Sequence, residues 1–293
     1  MTNLQEEGNP FAEMKQDGRM YRIKDCLLLI FLFLLVLGPT SAKASFIRLE
    51  TQINSTYDGK RFKVGVEVTN RGDEPAYNVQ VNGEVNGQML TTPAKDSLGV
   101  NEKYSTDAVL DTNLAKNGKY PVIVKVDYTD ANQYPFSAIS INHVVYGKNV
   151  TSQMFGIFKN IEISSEGILN LSLKSLSEQE EKVTVRLILP RELSSPNLSK
   201  TISLKAKSED KVNFEVKNFS ALPGSVYSVY AIMEYDEGDT HYSSSVGGNI
   251  SIQKEGGFVK SNRTLLIGIA VILVVLFAYL NLKSLRSRKA GKV

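Results

Sequence analysis

The 293-residue sequence predicts an all-β protein, in which two tandem seven-stranded β-sandwiches lie between an N-terminal signal helix and one C-terminal transmembrane helix. Three observations lead to this prediction. Apolar and polar residues alternate with a period of two in many short runs, and turn residues separate these runs at intervals of about ten residues. Two long apolar blocks stand near the ends of the chain, and the segment between them shows no long amphipathic helical period.

The N-terminal apolar block predicts a signal peptide with a long n-region at residues 1–44. The block, Cys26–Leu37, is too short to span a membrane and leads into the small-x-small pattern Ala42-Lys43-Ala44. An uncleaved signal anchor is the alternative, and Met14 and Met20 are alternative starts. After cleavage the mature chain has no cysteine, so no disulfide can stabilise it. Three basic residues precede the block: Arg19, Arg22 and Lys24.

The C-terminal apolar block predicts a transmembrane helix at residues 264–282, preceded by a short stalk at 255–263. At about 1.5 Å per residue, a helix of that length nearly matches the hydrocarbon core of about 30 Å. The tail, residues 283–293, carries basic residues and no acid, so the positive-inside rule places it in the cytoplasm. We therefore expect a single-pass type I protein of the cell membrane, with most of the chain on the extracytoplasmic side.

The exported part of the chain alternates in the way that half-buried strands do. The clearest case is the segment from Phe62 to Val68, in which phenylalanine and valine occupy every second position. Nine segments are predicted as strands: 62–68, 77–85, 120–128, 136–145, 168–173, 183–189, 201–204, 212–216 and 226–235.

An internal repeat divides the exported part into two domains. The segment Gly118–Tyr128 is followed by a polar turn and an aromatic residue, and Gly224–Tyr235 repeats this order about 106 residues later. A repeat of this length fits one immunoglobulin-like sandwich. The predicted domains are therefore residues 45–148 and residues 149–254.

One motif in the first repeat resembles a known family. The strand that ends at Asn70 is followed by the turn Asn70-x-Gly72 and by a second strand that begins with Ala76-x-Asn78-Val79. This order resembles the CARDB and related S-layer-associated immunoglobulin-like families of exported archaeal and bacterial proteins. We expect Asn70 and Gly72 to adopt the left-handed backbone of a tight turn.

The resemblance extends over residues 60–148 and is weaker in the second repeat, where Ser177–Glu181 replaces the Asn-x-Gly turn. It implies a binding or spacer role at the cell surface, without catalysis. The residues themselves agree with this: His143 and His241 fall in different repeats, and neither belongs to a pattern with a nucleophile or a metal ligand. We predict no enzyme activity, no catalytic residues and no cofactor.

Two polar loops are weak candidates for calcium sites. Asp127 and Asp130 surround one loop, and Asp236 and Asp239 surround the equivalent loop of the second repeat. Calcium binds such oxygen ligands, although neither loop has the spacing of a known calcium loop. Solvated turns are the alternative, because aspartate is common at hairpin tips.

Asn-x-Ser/Thr sequences and tyrosines are the remaining candidates. A glycosylated outer surface is predicted, with Asn170 as the poorest acceptor because it lies within a strand pattern. Tyr120 is predicted to form a tyrosine corner. Four more tyrosines, 227, 230, 235 and 242, form either a partner-binding surface or, as we favour, cross-strand pairs. The glycosylation candidates are Asn54, Asn149, Asn197, Asn218, Asn249 and Asn262.

These features predict a non-catalytic cell-surface protein for binding, adhesion or structuring of the envelope. The basic residues of the leader and tail act as topology signals, so the net charge of +3 does not describe the exported part of the chain. That part is nearly neutral and shows no basic surface for nucleic acid, so we expect no nucleic-acid partner. An envelope protein or a glycan is the expected partner, and the oligomeric state stays open. The alternative is an accessory subunit of a membrane complex, similar in layout to the beta subunit of the translocon-associated complex, which has one lumenal sandwich.

Overall fold

The computed structural model describes residues 46–111 and 113–254, together with residues 262, 264–266, 268, 269 and 272. The predicted signal peptide (1–44), the basic tail (283–293) and most of the stalk and of the predicted span lie outside the described residues. Residues 264–266, 268, 269 and 272 are helical. In this described part of the chain, no helix is long and apolar enough to cross a membrane.

The first half of the chain folds into two facing antiparallel sheets. One sheet has the order β1-β2-β6, and in the other β7 lies between β8 and β3, with β4 and β5 both paired to β3. The strands are β1 (Leu49–Tyr57), β2 (Arg61–Asn70), β3 (Ala76–Val85), β4 (Gln88–Thr91), β5 (Lys95–Leu98), β6 (Lys103–Asp111), β7 (Asn117–Thr129) and β8 (Pro135–Tyr146).

The second half also has two layers of strands, one of which continues the sheet that contains β7. One has the order β13-β15-β11-β9, and the other has the order β14-β12-β16-β17, with β10 added in parallel to β17. The strands are β9 (Met154–Lys159), β10 (Ile161–Ile163), β11 (Glu166–Ser175), β12 (Glu181–Ile188), β13 (Leu193–Ser194), β14 (Ser199–Leu204), β15 (Glu209–Asn218), β16 (Val226–Glu237) and β17 (Thr240–Ile252).

The all-β sandwich prediction is confirmed, and each half has its own apolar core. The buried residues of one core lie between 62 and 144, and those of the other lie between 154 and 252. The described halves contain eight and nine strand segments rather than seven each, because their edges are broken. β4 and β5 are separate segments that pair with β3, and Asn160 separates β9 from β10, which pair with different sheets.

The turn after β2 corrects one expectation. Neither Asn70 nor Gly72 is among the described residues with positive φ. The fully buried Asn70 side chain instead donates hydrogen bonds to the carbonyls of Glu74 (2.7 Å) and Leu98 (3.1 Å) and accepts one from the Gly72 amide (2.9 Å). A Cβ on Gly72 would lie 2.8 Å from the Arg48 nitrogen, so glycine is needed for space. The left-handed residue of the motif is Asn78, with φ 51°, where the register between β3 and β7 shifts.

Candidate functional site: the junction of the two sandwiches

One sheet runs through both sandwiches. Thr240 and His241 at the start of β17 pair in parallel with Asn117 and Gly118 at the start of β7. Gly118 has φ +142°, and a Cβ there would lie 2.8 Å from the carbonyl carbon of His241. Only glycine permits this approach, so the tip of the β16–β17 hairpin extends a sheet of the first sandwich.

The outer faces of the two sandwiches also cover each other. Ile123 of β7 and Ile232 of β16 alternate with core residues and therefore point away from their own cores. Both are nevertheless buried, with exposed fractions of 4% and 0%. We call this contact, between the outer faces of β3, β7 and β8 and those of β12, β16 and β17, the junction. The buried Ile139 of β8 belongs to the same outer face.

At the hairpin tip, polar groups tie the sandwiches together. Lys116 Nζ lies 3.0 Å from Asp236 Oδ2 and donates a hydrogen bond to the Gly238 carbonyl (2.9 Å). The other oxygen of Asp236 is 2.7 Å from His241 Nδ1, and the His241 ring stacks on Tyr120 with centroids 4.3 Å apart. The Tyr120 hydroxyl donates to the Lys116 carbonyl at 2.8 Å, so the predicted tyrosine corner is confirmed and also supports the junction.

The chain of charges continues from His241 across the junction. His241 Nε2 lies 3.5 Å from Glu234 Oε1, and Glu234 Oε2 lies 4.0 Å from Arg186 Nη2. Arg186 also pairs with Glu84 of β3, in the first sandwich. We call these six side chains the junction charge network: Lys116, Asp236, His241, Glu234, Arg186 and Glu84.

The two acids beside His241 set its protonation. Burial alone would lower the pKa of His241, but the nearby Glu234 carboxylate and the Asp236 carboxylate, which is hydrogen-bonded to Nδ1, raise that pKa above the ordinary value. For Asp236 the two effects have the opposite sign. Burial alone would raise its pKa, but the interactions with His241 and Lys116 keep that pKa below the ordinary value. When His241 is protonated, charges of opposite sign alternate along the network.

His143 faces the same junction with the opposite shift. It pairs with Pro121 on the outer face of β7 and β8, and its Nε2 is shielded from solvent without a hydrogen-bond partner among the described residues. Burial, followed by the positive charge of Lys119, lowers the pKa of His143 to about 4. This ring is therefore neutral at physiological pH.

At the end of the junction away from the hairpin tip, a buried glutamate connects the two sandwiches by hydrogen bonds. Glu192 has no exposed surface and accepts hydrogen bonds from the amide and the hydroxyl of Ser137, both at 3.0 Å. The Ser137 hydroxyl in turn accepts a bond from the Arg191 amide (2.8 Å), and the Tyr134 hydroxyl donates to the Ser220 carbonyl. Burial raises the pKa of Glu192, and the Ser137 bonds offset part of the rise.

Between these two ends the junction opens into a groove of about 810 Å³, a volume typical of ligand sites. β3, β4 and β7 of the first sandwich form one side, and the segment from β12 to Leu198, just before β14, forms the other. Met89 and Leu198 lie on opposite sides and are 73% and 47% exposed. The groove is therefore an open apolar surface shared by both sandwiches.

The charged side chains of the groove are unequally paired. Glu84 and Arg186 pair with each other, and Asp127 accepts a hydrogen bond from the neutral Asn82 amide (2.7 Å). Burial raises the pKa of Asp127, and the nearby positive charges of Arg191 and Lys125 offset part of the rise. Neither Lys125 nor Arg191 forms an ion pair with any residue that the structure describes.

The four calcium candidates have different surroundings. Asp127 lines the groove, and Asp236 belongs to the junction charge network. Asp130 accepts the amides of Asn132 (2.9 Å) and Tyr134 (2.8 Å), as in a polar turn. Asp239 is exposed in the β16–β17 turn. Over residues 46–111 and 113–254, and in the few described residues beyond them, no three His, Cys, Asp or Glu side chains form a group that could hold a metal ion.

The glycosylation candidates also differ. Asn218 is half-buried, and its amide donates to the Ser164 carbonyl (3.1 Å) and the Ala221 carbonyl (3.2 Å), so a glycan would displace one of these bonds. Asn170 and Asn262 are half-buried as well. The exposed candidates are Asn54, Asn149, Asn197 and Asn249.

The tyrosines of the second repeat are structural, as the cross-strand interpretation expected. Tyr235 and Tyr242 lie directly opposite each other on β16 and β17, and their rings stack 4.9 Å apart. The Tyr227 hydroxyl accepts a hydrogen bond from the Leu222 amide at 3.0 Å. Tyr227, Tyr235 and Tyr242 therefore belong to the second core, whereas Tyr230 is half-buried outside it.

Sequence reasoning missed the residues of the junction and the groove, although one signal was present. β7 contains the run Pro121-Val-Ile-Val124 and β16 contains Ala231-Ile-Met233, where strict alternation would place polar residues. Unbroken apolar runs are typical of strands that are buried on both faces. This signal could have located the junction, but it carries no information about which charges meet there.

Fold and junction together define a β-sandwich protein with two linked cores. Residues 46–132 match the family model described as CARDB, which confirms the resemblance found in the first repeat. No curated protein matches the chain significantly.

The comparison with solved structures finds several that are similar to this chain over part of their length. A Salmonella alpha-2-macroglobulin mutant is 11% identical, with 71% of this chain and 16% of that chain covered and a TM-score of 0.30. Escherichia coli alpha-2-macroglobulin activated by porcine elastase is 11% identical (73% and 22% covered, TM-score 0.29), and red sea bream transglutaminase is 12% identical (73% and 32% covered, TM-score 0.26). The chain thus spans less than a third of the length of each of these proteins.

Proposed function

We propose that this protein is a non-catalytic binding or adhesion protein of the cell surface, in which two sandwiches act as one stiff unit displayed from a single membrane anchor. The junction is the observation that supports this most. A shared sheet, buried isoleucines and a tied loop at each end hold the sandwiches in one arrangement. A fixed arrangement lowers the entropic cost of binding a partner across both sandwiches.

The chemistry of the histidines supports a role without catalysis. Asp236 and His241 have the geometry of the first two members of a hydrolytic triad, with Nδ1 bound to the carboxylate. However, Nε2 faces the Glu234 carboxylate at 3.5 Å, where a triad requires a nucleophilic hydroxyl. His143, with a pKa of about 4, is a weak base at neutral pH.

The membrane part of the proposal comes from the sequence, through the apolar block 264–282 and its basic tail. It is tested by inserting the recognition sequence of a specific protease at Asn101, in the exposed turn between β5 and β6, and in a matched variant after Lys289 in the tail. In intact cells we expect added protease to cut at Asn101 and to leave the tail insertion uncut until the membrane is opened. The reverse pattern would contradict the proposed topology.

Extraction of the protein from the same cells distinguishes a surface binding protein from an accessory subunit of a membrane complex. Mild detergent extraction of a surface binding protein should release the chain alone. A stable membrane complex that co-purifies in fixed proportion would favour the accessory subunit instead.

A further inference from the structure

We propose that the groove at the junction binds an extended peptide segment of a partner protein, and that this segment carries a carboxylate flanked by aliphatic side chains. The inference rests on the proposed binding function and names the chemistry of the partner. It is carried by three features of the groove, namely its charge, its exposed apolar rim and the residue types that line it.

The charge of the groove selects an acidic group. Glu84 and Arg186 neutralise each other, and Asp127 lies near Lys125 and Arg191 but forms an ion pair with neither of them among the described residues. The lining then carries three cations against two acids. A guanidinium can bind a carboxylate through two parallel hydrogen bonds, and a partly enclosed site strengthens that attraction.

The rim of the groove selects aliphatic side chains. Met89 stands on the first sandwich and Leu198 on the second, both largely exposed, while Leu189 and Leu193 form a buried apolar floor. An exposed apolar patch with a polar border is typical of an interaction site on a soluble domain. The flexible methionine can adapt to different aliphatic partners.

The residue types in the lining favour a peptide over a glycan or a nucleic acid. None of the described residues that line the groove is aromatic. Sugars and bases are usually bound by stacking on aromatic rings. Charged and aliphatic side chains are instead the complement of a peptide that is acidic and aliphatic.

The test uses the full-length protein in detergent and an array of short synthetic peptides. Each peptide has one central residue, Asp, Glu, Asn, Gln or Lys, between two leucines. We expect the acidic peptides to bind about tenfold or more tightly than their amide counterparts. In the double variant Lys125→Gln/Arg191→Gln this preference should disappear.

A matched double variant controls for general loss of charge. Lys159 and Lys211 are exposed on β9 and β15 and do not line the groove, so Lys159→Gln/Lys211→Gln should keep the preference. Met89→Glu and Leu198→Glu should each abolish binding of the acidic peptides. Both residues are exposed, so the thermal midpoint should stay unchanged and show that each variant folds.

Two results would overturn the proposal: equal binding of acidic and amide peptides by the unaltered protein, or an acidic preference that survives Lys125→Gln/Arg191→Gln. Neither result affects the protease test of topology, so a failure of the groove and a failure of the surface role can be told apart.

Discussion

The two cores and the junction bury side chains of different kinds. In the cores, inward positions are apolar, as in β2, where Phe62, Val64, Val66 and Val68 are almost fully buried. At the junction, three isoleucines lie among histidines, carboxylates and an arginine. We infer that apolar burial in the cores supplies most of the stability, at about 25 cal/mol per Å². The junction instead holds the two sandwiches in one arrangement, and its titratable groups make the stability of that arrangement depend on pH.

The largest effect is expected in a core. Phe214 is fully buried in the second sandwich, and Phe214→Ala should lower the free energy of unfolding by about 3–5 kcal/mol, because it removes apolar burial and leaves a cavity. Chemical denaturation measures this change. The control is Phe155→Ala, at a phenylalanine that is 49% exposed, which should cost less than about 1 kcal/mol.

A smaller effect is expected where the shared sheet forms. Gly118→Ala places a Cβ against the His241 backbone and should separate the hairpin tip from β7 while both cores stay folded. Hydrogen exchange should then become faster at residues 117–118 and 240–241 and stay slow in β2 and β11.

Gly238→Ala is the matched control, because Gly238 also has positive φ (55°) but has open space around the Cβ position. It should cost about 1 kcal/mol from backbone strain alone and leave the exchange of the shared sheet unchanged. Unchanged exchange in Gly118→Ala would show that the two sandwiches do not depend on this pairing.

The smallest effect is a dependence of stability on pH, with opposite signs at the two histidines. His143 has a lowered folded pKa of about 4, so its contribution is present above the ordinary value of 6.5 and is lost as the pH falls toward 4, on the order of 2 kcal/mol. His241 has a raised folded pKa, so its contribution is full below 6.5 and is lost as the pH rises through that raised pKa. Together they predict maximal stability near pH 6.5.

Thermal midpoints measured across this range separate the two groups. His143→Gln should remove the loss on the acidic side, and His241→Gln should remove the loss on the alkaline side. If both variants keep the pH profile of the unaltered protein, these rings do not control the junction.

Much of the fold was predictable because a half-buried strand leaves a period of two in the sequence. All nine predicted strands are present, including β2 and β12. β17 was missed because its run Ser243-Ser-Ser-Val-Gly-Gly-Asn249 lacks alternation. It lies between β16 and β10 in its sheet and reaches β7 at one end. β6 was missed because its polar, acidic sequence suits an edge strand.

The candidate site was less predictable for a physical reason. Arg186 and Glu84 are 102 positions apart in the chain, and both occupy outward positions that alternation assigns to solvent. Glu192 is fully buried although it lies in a loop segment. A charged residue or a loop residue is ordinarily predicted to be exposed. Nothing in the local sequence shows that the surface of the other sandwich will cover it.

By itself, the sequence determined the two interiors, because the side chains of each strand record which face turns to its own core. Asn70 and Gly72 also predicted the position of the CARDB-like turn. They did not predict that the buried Asn70 side chain holds the turn by hydrogen bonds. Only the tertiary structure decided that two outer faces meet, which histidines and acids share the junction, and where a groove remains. Those contacts join residues from different repeats, and local sequence periodicity cannot encode a partner surface more than a hundred residues away.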